Sequence, residues 1–179
     1  MKNLDYLIQI LFLLFLFMLE GFFYHHKYTT NRSKHALLNI SFAVINGFLI
    51  FSFAGIFSKA HDNSLGLLTR AGFPALAVGV LSFFLFDAWM YLWHRANHEI
   101  PFLWRFHRMH HTDRQMDVTT AMRFHPGEII MFSLLNIGVT FILGISLPML
   151  AVYKIAQNVC VMFHHSNTFV PERIDRLLR

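Results

Sequence analysis

Long, nearly uncharged apolar blocks constrain this chain more than any other feature of its sequence. Three run from about Leu4 to Tyr24, Ala36 to Phe57 and Phe73 to Trp93, and a fourth from Ile129 to Phe163. At 1.5 Å per residue, the second and third each reach roughly 30 Å, the thickness of a bilayer's hydrocarbon core. Their apolar residues are continuous rather than amphipathically spaced, so lipid accounts for them better than a globular interior. Only 14% of the 179 residues are charged, against roughly 25% in a soluble domain.

The first block is interrupted by Glu20 and lacks a short apolar stretch followed by a small-residue cleavage site, so it reads as a retained helix. The fourth is too long for one crossing and is broken around Gly144 and Pro148, which predicts a helical hairpin whose two ends share a side. The expected fold is a single all-α domain over residues 1–179. It is an integral membrane bundle of three spanning helices (about 4–24, 36–57 and 73–93) and a broken hairpin (about 129–163), with a histidine-rich helical cap.

Positive charge orients it. Lys27, Arg32 and Lys34 follow the first span, Arg95, Arg105, Arg108, Arg114 and Arg123 follow the third, and Arg173, Arg176 and Arg179 follow the hairpin. These segments are expected in the cytoplasm. The loop from Ser58 to Gly72 holds only Lys59 and Arg70 and is expected outside, with the amino terminus. The net charge of +5 sits beside apolar segments, which suits anionic lipid head groups and not nucleic acid. Cys160 is the single cysteine. It excludes an intrachain disulfide and a thiolate zinc site, and is read as a packing residue.

Eight of the 12 histidines fall between positions 94 and 165, all on the expected cytoplasmic side or at its membrane boundary. His94 and His98 stand at i, i+4 in HRANH, and His107, His110 and His111 at i, i+3, i+4 in HRMHH. Such offsets put the rings on one helix face, able to converge on one point. Imidazole suits zinc, copper, iron and nickel alike, so the type of side chain does not name the metal. Five rings, joined by His125, His164 and His165, exceed the needs of one tetrahedral ion and suit two adjacent ions. A lone HxxxH pair is more easily a head-group boundary feature than a metal site, and His125 has a fair alternative as an interfacial polar residue. His25, His26, His35 and His61 are read as bystanders, His61 on the far side of the membrane.

Three more residues accompany the histidines. Asp87 lies seven residues before His94 inside a span, where an acid is costly. It either accepts a hydrogen bond from a ligand imidazole or ties two helices together. Glu128 either supports a ligand or complements a helix amino terminus. Asn167 is a candidate donor to a ligand on its position alone.

At these residues the sequence resembles the sterol desaturase and fatty acid hydroxylase superfamily. The segments are DAWMYLWHRANH (Asp87 to His98), FHRMHH (Phe106 to His111), RFHPGE (Arg123 to Glu128) and FHHSN (Phe163 to Asn167). The resemblance implies an oxidoreductase of lipid biosynthesis with two non-haem iron ions, using O2 to hydroxylate or desaturate a sterol, fatty acyl or related lipid. It further implies an external electron donor of the reductase, ferredoxin, rubredoxin or cytochrome b5 type. It gives His94, His98, His107, His110 and His111 as iron ligands, with His125 and one of His164 or His165. It also implies a third HxxHH box, and no histidine follows His165. The chain is therefore expected to be cut short of its last ligands, with weakened binding of at least one iron.

A metal transporter or sensor is the alternative, but it calls for polar residues aligned through several spans, and these are mostly Phe, Leu, Ile and Val. Bis-histidine haem calls for ligands facing each other across the bilayer. The pair His98-Glu99 lacks the second histidine of a zinc-protease HExxH.

Overall fold

The computed structural model describes residues 2–178, and side chains over residues 7–176. Arg179, one of the cations used for orientation, lies outside them. Among the described residues eight α-helices follow in order: α1 (Lys2–Phe22), α2 (Arg32–Asp62), α3 (Leu67–Arg70), α4 (Ala75–Glu99), α5 (Pro101–His111), α6 (Pro126–Leu143), α7 (Leu147–His165) and α8 (Glu172–Leu178). A 3-10 turn, Val118–Met122, stands between α5 and α6.

The side chains are distributed for a solvent of lipid. Phe48, Phe51 and Leu76 are 73%, 79% and 81% exposed, while Asn39, Asn97 and Thr140 are fully buried. In hydrocarbon, apolar surface gains little by hiding, whereas polar groups must be satisfied inside the protein. Several such groups bond between elements: Asn46 Nδ2 donates to Phe124 O (2.9 Å), Trp89 Nε1 to Asn136 Oδ1 (2.7 Å) and Asn158 Nδ2 to Gln9 Oε1 (2.7 Å), while Asn97 Nδ2 donates to Trp93 O (3.0 Å) within α4. Cys160, read as a packing residue, is exposed instead.

The all-α class and the spanning bundle follow the sequence expectation. Helices α2, α4 and α6 are long and apolar enough to cross a membrane. The first limb of the expected hairpin thus stands beside α2 and α4, while the apolar stretch described in α1, Leu7–Phe22, is shorter. The hairpin breaks at Gly144, whose φ of 71° is left-handed, and α7 restarts after Ser146, whose side chain accepts from Met149 N. Its limbs separate: α6 packs chiefly along α2, and α7 along α1 and α4.

The helices run up and down. At one end Leu65 N donates to Phe141 O (2.8 Å), joining the α2–α3 loop to the last turn of α6. A Cβ on Gly144 would come within 2.5 Å of Gly66 Cα, and Gly66 itself has φ 61°, so both positions require glycine. The Ser58 to Gly72 loop and His61 lie at this end. At the other end α1, α4 and α7 finish and α2 and α6 begin, and the clustered histidines lie there. His25 N donates to Asn167 O (2.7 Å), tying the chain after α1 to the chain after α7. Both ends of the hairpin are here, as their shared side requires.

Candidate metal centre

Helix α4 stops at Glu99 because Ile100 is extended (φ −92°, ψ 115°), and Pro101 at once opens α5. Proline suits a first helical position, since its missing N–H is one that no helix bonds there. This one-residue corner folds α5 back against the end of α4. The histidines spaced along each helix then meet across it.

Four rings form the centre of the cluster. His94 and His98 bring their Nε2 atoms to 3.2 Å, and His107 and His111 theirs to 3.2 Å. Across the corner the ring centroids of His94 and His107 lie 5.0 Å apart, and those of His98 and His111 4.8 Å. One nitrogen each of His94, His98 and His107 falls within 4.8 Å of the others. A second lobe adjoins: His110 Nε2 meets His165 Nε2 at 2.8 Å, and the His110 ring lies 5.2 Å from that of His111.

Two of these rings are held from behind. His107 donates from Nδ1 to Glu128 Oε1 (2.9 Å), and His165 from Nδ1 to Val161 O (2.7 Å). Each bond fixes the tautomer and leaves Nε2 facing the cluster, the usual backing of a metal-bound imidazole. Glu128 is also in the first turn of α6, where a carboxylate complements the helix dipole.

The donor set fits a metal. Two nitrogens on one ion, each about 2.1 Å from it, lie roughly 3.0–3.4 Å apart, close to the separations found here. Burial, and then the neighbouring His165, push His110 down to about 3, and burial and His107 lower His111. Neutral rings keep their lone pairs for coordination. His110 Nδ1 and Glu128 Oε2 are buried without a hydrogen-bond partner. Six imidazoles exceed the demand of one tetrahedral ion.

The other sequence candidates bond no ring of the cluster, although Asp87 and His164 line the cavity beside it. His164 is exposed and its neighbour His165 turns inward. His125 caps α6, its Nδ1 accepting from Gly127 N (3.0 Å), and its ring stands edge-on to Phe106. Asp87 accepts from Tyr153 OH (3.0 Å) and so ties α4 to α7 rather than holding an imidazole. Asn167 bonds no ligand ring: it accepts from His26 N and donates to His26 O, both at 2.8 Å. It sits one turn past the cluster, where its amide matches the backbone of the loop after α1.

Sequence reasoning passed over an acidic girdle at the same end. Glu20, fully buried, accepts from Val118 N (2.8 Å), Asn167 N (2.7 Å) and Arg32 Nη2 (3.0 Å). His35, read as a bystander, stands between Asp113 (2.9 Å) and Asp117 (3.1 Å). Asn39 donates to Thr119 Oγ1 (3.0 Å) and Thr120 Oγ1 to Asp113 Oδ2 (2.8 Å). The available signal was Glu20 itself, an acid inside an apolar block with Arg32 twelve residues on.

A cavity of about 480 Å³ opens beside the rings. His94, His107, His110 and His165 line it, and Met90, Ile129, Phe132 and Val161 give it apolar walls between α4, α6 and α7. Its size is that of a small-molecule site.

A family model described as fatty acid hydroxylase matches residues 79–178, which hold all six clustered histidines and Glu128. No curated protein and no solved structure matches the chain.

Proposed function

Because the chain belongs to the fatty acid hydroxylase family, we propose that it is a membrane-bound, O2-dependent oxidoreductase that hydroxylates or desaturates a lipid at two non-haem iron ions. The observation that carries this reading is the chamber of facing imidazoles at the mouth of an apolar cavity. His94, His98, His107, His110, His111 and His165 would hold the ions. His125 caps α6, and His164 lines the cavity beside the rings.

Bound iron supplies the oxidising power for an unactivated C–H bond, which no side chain provides. The protein's own part is orientation and exclusion. Glu128 keeps the Nδ1 proton on His107, and Val161 O keeps that of His165. The walls at Met90, Ile129, Phe132 and Val161 take a hydrocarbon chain and keep water from it. The Asp87–Tyr153 bond braces α4 against α7 along this cavity.

The basic segments support a cytoplasmic histidine end with the amino terminus opposite. An external electron carrier of the reductase, ferredoxin, rubredoxin or cytochrome b5 type reaches the ions from there. Metal analysis of the purified protein after iron supplementation tests the reading. Iron retained in preference to zinc and copper, at more than one ion per chain, is the expected result. Zinc or copper without iron would overturn it.

A further inference from the structure

Helix α7 carries a cation that the chamber does not use. Lys154 lies in its middle, exposed to a second pocket of about 210 Å³ between α2, α6 and α7. Among the described residues no carboxylate pairs with it, and its Nζ sits 5.8 Å from the centroid of Phe57. A charge among spanning helices is costly and is kept where it meets a partner or faces a cavity.

The rest of the pocket has the complementary character. Ile50, Phe53 and Phe57 of α2 form an apolar wall, and Ser133 and Asn136 of α6 add polar groups to the lining that Lys154 shares. Asn136 Oδ1 is already taken by Trp89 Nε1 (2.7 Å), which leaves the amide nitrogen to donate. An ammonium, an amide and a hydroxyl make a donor-rich site with one positive charge, matched by one anionic oxygen acceptor. Phe132 lines both this pocket and the cavity at the histidines, so the two spaces share a wall. Lys154 precedes His165 by eleven residues on α7, roughly 16 Å along the axis.

We propose that Lys154, with Ser133 and Asn136, holds the carboxylate of a long-chain acid whose tail passes Phe132 toward the histidines. The fate of the tail rests on the oxygenase reading, whereas capture of the head does not. The inference thus narrows the substrate class to chains that end in a free carboxylate.

The test is displacement of a fluorescent fatty acid from the metal-free protein in neutral detergent by palmitic acid, its methyl ester and phosphatidylglycerol. The wild type is expected to bind the acid about tenfold or more tightly than the ester. Lys154→Met is expected to bring the acid to the level of the ester and leave the ester unchanged, and Lys154→Arg to keep the preference. Equal binding of acid and ester by the wild type, or an undiminished preference in Lys154→Met, overturns the proposal. Stronger displacement by the phospholipid overturns the choice of a carboxylate. The wild-type comparison stands even if the variant does not fold. Iron content separates the two readings: iron retained without acid preference sinks this inference alone, and acid preference without iron sinks the oxygenase reading alone.

Discussion

Two histidine environments lie side by side at the same end of this bundle and have been built for opposite ends. In the girdle, His35 has a carboxylate at each ring nitrogen, Asp113 and Asp117, and joins α2 to the loop after α5. In the chamber, six rings face one another, and the one side-chain carboxylate bonded to them among the described residues, Glu128, stands behind His107. An imidazole with both nitrogens occupied is a structural tie. Rings crowded together with their nitrogens turned inward can bind a cation, and burial keeps His110 neutral for it. The difference lies in the neighbours, since the residue type is the same.

The sharpest way to break this contrast is to remove the centre of the girdle. Glu20→Ala leaves Arg32, Val118 N and Asn167 N without their acceptor at a fully buried point, at a cost of about 3–5 kcal/mol. Thermal unfolding in detergent is expected to show that loss, while any protein that remains folded keeps its iron. Loss of iron from the folded fraction would mean that the girdle also shapes the chamber. Glu128→Ala reverses the pattern, with iron affinity falling about 10- to 100-fold and the unfolding midpoint changing much less. Titration with Fe(II) under anaerobic conditions reads the first effect, and a melting curve the second.

Acid separates the two regions by pH window. His110 binds its proton less readily when folded, so between its ordinary value of 6.5 and about 3 the unfolded chain carries more protons. Stability of the metal-free protein therefore falls as pH drops through that window. Asp113 behaves as a carboxylate with a depressed value: burial opposes its charge, but Thr120 and His35 outweigh it. Its contribution is present above 3.8 and fades only below that. Unfolding of metal-free protein measured from pH 7 to 3 should show a shallower upper slope in His110→Ala, His111 and His165 keeping part of it, and an unchanged one in Asp113→Asn. The same slope in both variants would remove this distinction.

The smallest effect sharpens the edge of the chamber. His125→Ala removes a helix cap and costs about 1 kcal/mol, with iron content unchanged. A lost iron would make His125 a ligand and widen the chamber.

The apolar blocks by themselves determined that helices span and alternate in direction, because each must hide its backbone polar groups within itself. Spacing by 3.6 residues per turn likewise determined that His94 and His98, and His107, His110 and His111, share helix faces. Only the tertiary structure decided what those faces meet. Whether His164 or His165 turns inward depends on the rotation of α7, which its packing on α1 and α4 sets. His107 reaches Glu128 across 21 residues, His110 reaches His165 across 55, and Asn167 N reaches Glu20 across 147. Periodicity is a local property of the chain, whereas a partner at such a distance is chosen by how whole helices dock.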